Sequence, residues 1–157
     1  PTLILGGDHS IAIGSIAAVA RRHPDLAVVW FDAHADINTA LSSASGKIHG
    51  CPVSFLMGHP ESTGVPTFAW LREAMREHEA ATGSSAFVDG QRIAFIGLRD
   101  VDPPETVLLR ETGILCKYMT DVARDGVEKS ISDILMALGN RPIHLSFDVD
   151  GIDPKFT

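Results

Sequence analysis

Cysteine is scarce in this 157-residue chain, with Cys51 and Cys116 the only two. They stand far apart, in neither a metal-ligand nor a redox spacing. That argues against a disulfide framework or a thiolate metal site, and fits two small buried side chains in a reducing compartment. Positive charge is also in short supply. Thirteen Lys and Arg stand against twenty Asp and Glu, a formal net charge of −7, which argues against the basic surface that nucleic acid or an anionic membrane requires. No apolar run reaches the roughly 18 residues of a membrane span. No signal peptide is visible, no repeat recurs, and Gly6-Gly7 is too short to cradle a phosphate.

What is present is an ordinary globular composition, 45 % apolar and 21 % charged, long enough for one α/β domain with its own core. Apolar runs at 2–5, 26–32, 92–98, 114–118 and 142–148 read as strands. Helical patterns lie between them: 11–22 with Ser10 as N-cap and Ile13, Ile16, Val19 and Ala20 on one face, a short helix at 52–58 led by Pro52, then 67–81, 104–112, and 126–139 with Val127, Ile131, Ile134, Leu135 and Leu138 inward. Residues 37–50 and 58–66 read as loops, and 82–91 as a polar hairpin or linker, a site for insertion more than a domain boundary. Continuous apolar strands separated by helices predict a three-layer α/β/α fold around a parallel sheet. The chain opens on Pro1, directly before an apolar run, and stops just after an acidic stretch ending at Pro154. The expectation is a single domain, 1–157, incomplete at both ends, and a 157-residue polypeptide that is unstable and inactive by itself.

The chemistry is positional. Each strongly apolar strand runs into residues able to hold a metal: Asp8 and His9 after the first, Asp32, His34 and Asp36 after the second, Asp100 and Asp102 after the third, and Asp148, Asp150 and Asp153 after the last. Ligands of parallel sheets bind at the carboxyl ends of the strands. Asp32, His34 and Asp36 stand at i, i+2 and i+4, and Asp148 and Asp150 at i and i+2, so in extended backbone each set shares a face. Such a carboxylate cluster repels itself unless divalent cations neutralise it. It is too rich in carboxylate for structural zinc and too rich in imidazole for magnesium; a mixed oxygen and nitrogen set suits manganese, or two such ions bridged by carboxylates.

Three segments carry a resemblance. Gly-Gly-Asp-His-Ser at 6–10, Asp-Ala-His-Ala-Asp-Ile-Asn-Thr at 32–39 and Ser-Phe-Asp-Val-Asp-Gly-Ile-Asp-Pro at 146–154 are similar to the signature motifs of the ureohydrolases: arginase, agmatinase, formiminoglutamase and guanidino-acid hydrolases. Gly-Leu-Arg-Asp-Val-Asp-Pro at 97–103 also resembles arginase. The resemblance implies two Mn2+ ions, His9 and Asp36 on one, His34 and Asp150 on the other, Asp32 and Asp148 bridging. It implies hydrolysis of a guanidino group by a hydroxide held between the ions. His49 would relay a proton to the departing amine and, with the ligand Asp36, is counted among the catalytic residues.

Within that family, Asn38, Ser43 and Ser45 match residues that hold the α-carboxylate of arginine. Asp102 matches one that meets its α-amino group, with Glu105 nearby. Neutral donors for a carboxylate and an acid for an ammonium make chemical sense, and they favour arginine over agmatine, which has no carboxylate. Lys47 stands where many arginases have Asn, and either pairs with the substrate carboxylate or points to solvent. The alternatives are agmatinase or another guanidino-acid hydrolase, and a non-catalytic metal-binding relative. A homo-oligomer, trimeric or hexameric, acting on a small molecule in the cytoplasm is expected, with the mitochondrion as the alternative location. The acid that grips the guanidinium in the family lies downstream of the motifs present here.

Overall fold

The computed structural model describes residues 2–153 and 155. Pro154, the end of the last acidic stretch, lies outside them. The chain divides into two compact units, residues 1–24 with 36–88 and residues 25–35 with 89–157. It passes between them at three places, one inside the polar stretch 82–91. No helix among the described residues is long and apolar enough to cross a membrane.

In chain order the elements are α1 (Ile11–Ala20), β1 (Ala27–Phe31), α2 (Pro52–Leu56), α3 (Pro60–Thr63), α4 (Ala69–Thr82), β2 (Ile93–Leu98), α5 (Pro103–Thr112), β3 (Leu115–Tyr118), α6 (Met119–Asp125), α7 (Val127–Leu138) and β4 (Ile143–Phe147). The second unit holds all four strands, in a parallel sheet of order β3-β2-β1-β4. β1 runs beside β2 with Val28 opposite Ile93, and beside β4 with Ala27 opposite Ile143. Parallel strands buried on both faces need no polar alternation, and all six residues of β2 are buried.

On one sheet face Ala27, Val29 and Phe31 of β1, Ala94 and Ile96 of β2, and Leu115 of β3 pack with Val122 of α6 and Ile134 and Leu138 of α7. On the other, Trp30 and Phe95 meet edge to face, their centroids 6.5 Å apart. α7 buries a narrower stripe than its sequence suggests. Ile134 and Leu138 are covered, with Ser130 one turn earlier, while Val127, Ile131, Leu135 and Met136 face outward. Four residues apart on a helix is one face, and α7 has two such apolar rows, only one of which meets the sheet. α6 was not expected. It is short and aperiodic, opened by Asp121 accepting from Tyr118 N at 3.0 Å.

The first unit contains α1 to α4 and no strand among its described residues. The run 2–5, expected as a buried strand, is irregular, with Leu3 and Leu5 each more than four-fifths exposed. Apolarity marks a segment for burial, but a strand also needs a neighbour for its ladder, and this unit offers none. α1 packs on α2 through a helix face that includes Ile13, Ile16 and Ala20, with Val19 at its margin. Ser10 does not cap α1 with its side chain. Both its amide and its hydroxyl instead donate to the Asp8 carboxylate.

Candidate metal centre

In the second unit the carboxyl ends of β1, β2 and β4 converge. Asp32 leaves β1 with its amide still donating to Ile96 O at 3.1 Å, and is 1 % exposed. Both of its oxygens are engaged: Oδ2 accepts from Trp30 Nε1 at 3.0 Å and Oδ1 from His34 N at 2.8 Å. Trp30, a core residue of β1, thus also orients the Asp32 carboxylate. Asp148 repeats the pattern at the end of β4, its amide donating to Phe31 O at 2.9 Å and its Oδ1 accepting from Asp150 N at 3.0 Å. Asp-x-His and Asp-x-Asp are therefore both closed by a carboxylate-to-amide bond two residues on. This replaces the extended backbone expected from the i, i+2 spacing. Each Asp caps the chain leaving the sheet, and the bend it makes returns the second metal-competent side chain beside the first.

The side chains then meet. His34 Nδ1 lies 3.1 Å from Asp150 Oδ2 and 3.4 Å from Asp32 Oδ1. Asp32, His34 and Asp150 offer donor atoms all within 4.8 Å of one another. Asp150 Oδ1 also accepts from Ala33 N at 3.2 Å. Burial pushes the Asp150 carboxyl up, the Ala33 amide pulls it down, and the neighbouring carboxylates of Asp32 and Asp148 push it up again. Asp100 approaches His34 Nε2 at 3.6 Å.

Two supports carry no sequence signature. Arg99 donates to the carbonyls of Asp150, Gly151 and Ile152, clamping the turn that holds Asp150. Only its position beside the acidic strand end hinted at this. Gly97 has φ +101°, and a Cβ there would sit 3.1 Å from Asp32 O, so glycine lets β2 lie against the ligand's backbone.

In the first unit His9 Nδ1 lies 3.0 Å from Asp36 Oδ2, both side chains nearly buried. Asp36 has φ +50°, a left-handed conformation that Asp tolerates, and its carbonyl accepts from Val53 N at 2.9 Å in the first turn of α2. His9 with Asp36, and His34 with Asp150, stand within hydrogen-bonding distance of each other, and their donor types would suit a hard to borderline divalent ion.

The remaining predicted site residues fall in two places. Asn38, Ser43, Ser45, Lys47 and His49 lie on the loop between Asp36 and α2. Asn38 is buried and its amide donates to Gly50 O at 3.2 Å, while Ser45, Lys47 and His49 are exposed. The Ser10 hydroxyl and amide hold the Asp8 carboxyl, beside His9, below its ordinary value. Asp102 and Glu105 open α5 in the second unit, where the buried Glu105 carboxylate accepts from Asp102 N at 3.0 Å. That is half of a capping box, so Glu105 has a local role besides any contact with substrate.

A parallel α/β fold with carboxylates and imidazoles gathered where its strands end defines a class of divalent-metal proteins. The model of the arginase family matches residues 1–157, and this chain belongs to that family. Human arginase-1 is 48 % identical over 161 aligned residues, which cover 99 % of this chain and 46 % of that protein. The crystal structure of a cold-adapted arginase from the psychrophilic yeast Glaciozyma antarctica superposes with a TM-score of 0.79 at 40 % identity, covering 96 % of this chain and 50 % of that one. Arginase from Entamoeba histolytica, solved with L-ornithine, gives a TM-score of 0.80 at 34 % identity, covering 96 % and 47 %. The chain thus spans about half the length of these relatives.

Proposed function

We propose that the full-length protein is an arginase, hydrolysing L-arginine to L-ornithine and urea with two Mn2+ ions. The observation that carries this reading is the Asp32–His34–Asp150 cluster, whose donor atoms all lie within 4.8 Å of one another at the ends of β1 and β4. A divalent cation would neutralise the carboxylates gathered there. His9 and Asp36 would hold one ion, His34 and Asp150 the other, and Asp32 and Asp148 both. When bound, the ions supply a water of lowered pKa as nucleophile.

The rest falls to side chains. Asn38, Ser43 and Ser45 offer neutral donors to the substrate α-carboxylate, and Asp102, backed by Glu105, an acceptor to its ammonium. His49 sits exposed at the end of the same loop, where an imidazole is free to exchange protons with solvent and deliver one to the departing amine. Net, water adds across the guanidino C–N bond and the proton ends on the ornithine side chain. The protein would work in the cytoplasm as a trimer or hexamer.

The test is urea release by the manganese-loaded full-length protein, with L-arginine and agmatine side by side and bound manganese counted. A strong preference for arginine with two ions per subunit is expected. Preference for agmatine overturns the substrate assignment, and metal binding without urea from either marks a non-catalytic relative.

A further inference from the structure

The loop that carries Asn38, Ser43 and His49 is braced from a helix with no part in the motifs. Thr39, 1 % exposed, sits at the centre. Its hydroxyl donates to Glu61 Oε2 at 2.6 Å. The same oxygen accepts from Ser42 N at 3.0 Å and Leu41 N at 3.3 Å. A hydroxyl has one hydrogen and two lone pairs, so a carboxylate at Glu61 consumes the hydrogen and turns both lone pairs onto the loop amides.

The order passes on to Asn38. Thr39 N donates to Ser42 Oγ at 2.8 Å, and Ser42 Oγ donates to Asn38 Oδ1 at 2.9 Å. With Oδ1 committed to Ser42, the Asn38 amide is fixed in one of its two flips, its NH2 on the other side as a donor. That is the flip a substrate carboxylate needs. The backbone is held as well: Ser54 Oγ bonds Asn38 O at 2.8 Å and Ser62 Oγ at 2.6 Å, all buried. Glu61 and Ser62 are adjacent on α3, which starts where His59 Nδ1 accepts from Glu61 N at 3.3 Å. One short helix thus grips both the side-chain relay and the backbone of the same residue.

We infer that Glu61 is a positioning residue for substrate recognition: through Thr39 and Ser42 it sets the Asn38 amide as a carboxylate donor. This rests on the arginase reading of the loop. The described hydrogen bonds of Glu61 go to Thr39 and His59 and to none of the proposed metal ligands. Its effect is therefore expected at the amino-acid head of the substrate and not at the reacting guanidino end.

The experiment compares wild type, Glu61→Gln, Glu61→Ala and Thr39→Val in the manganese-loaded full-length protein, with kcat and KM for L-arginine and kcat/KM for agmatine. Glu61→Ala and Thr39→Val are expected to raise the arginine KM about five- to tenfold, the loss of one charge-assisted hydrogen bond, with kcat within about twofold. The arginine-to-agmatine ratio of kcat/KM falls by a similar factor. Glu61→Gln, which keeps an acceptor oxygen, recovers most of the loss. An unchanged KM in variants that bind manganese normally overturns the proposal, as does an equal fall for both substrates, which marks a merely structural brace. Wild type with no preference for arginine refutes the reading of the loop and is told apart from these at the first measurement.

Discussion

β1 and β4 lie side by side and both end in an Asp that caps its own exit from the sheet, yet their surroundings differ. β1 has a strand on each side, and Ala27, Val28 and Trp30 are at most 1 % exposed. Among the described residues β4 pairs with β1 on one side only, and Ile143, Leu145 and Phe147 are 42 to 58 % exposed. The acid each strand delivers follows suit. Asp32 is sealed and has both oxygens bonded, whereas Asp150, reached from β4, is 44 % exposed in its side chain, its turn held by Arg99, by Asp148 Oδ1 and by the Ala33 amide. One wall of this candidate centre is built into the sheet, and the other is tied in place by loop and side-chain bonds. Precision at a metal site comes from the supporting contacts as much as from the ligands.

The largest effect that tests this contrast is Asp32→Asn. An amide has one acceptor oxygen where the carboxylate uses two, so its NH2 must face either Trp30 Nε1 or the His34 amide. The loss of a bridging charge is expected to lower manganese content and cut urea release on the order of a thousandfold, several kcal/mol of transition-state stabilisation. The mismatched donor costs about 1–3 kcal/mol of stability in addition. Metal analysis, assay and a melt of the same sample check all three. Full metal occupancy would show that Asp32 is a structural acceptor and not a ligand.

Much of this was legible before any coordinates. Asp32, His34, Asp148 and Asp150 announce themselves because acids and imidazoles have little reason to follow buried strands unless a cation joins them. The four strands of the sheet were legible from continuous apolarity. What escaped was whatever depends on backbone or on distant pairs. Arg99 works through carbonyls, which every residue has. The bends at Asp32 and Asp148 replace the extended geometry that period-two spacing implies. Residues 2–5 have the composition of a strand, but pairing is a property of the neighbour. Thr39 and Glu61 are 22 positions apart, and nothing in either residue points to the other.

Next in size is a pair of truncations in the full-length protein. Ile134→Ala removes a side chain 1 % exposed beneath the sheet, and is expected to cost about 2–5 kcal/mol in a denaturant melt. Leu145→Ala, 58 % exposed among the described residues, is expected to cost less than about 1 kcal/mol wherever that exposure persists in the full-length protein, because little of its surface then leaves water on folding. Equal costs would break the contrast and show that the outer side of β4 is covered in solution.

The smallest effect is a pH dependence carried by His144, the half-buried residue of β4 opposite Val28. Burial pushes its imidazole below the ordinary 6.5. The sign follows from linkage: the unfolded chain takes up the proton first as pH falls, so the contribution of His144 to stability is complete above 6.5 and declines below it. His144→Gln cannot titrate and should show a shallower loss of stability than wild type between about pH 7 and 5.5, with manganese saturating in both so that titration of the metal ligands cancels. Parallel curves would mean that the imidazole is as well hydrated in the folded protein as in the unfolded chain, and that β4 is more open around this residue than its half-burial implies.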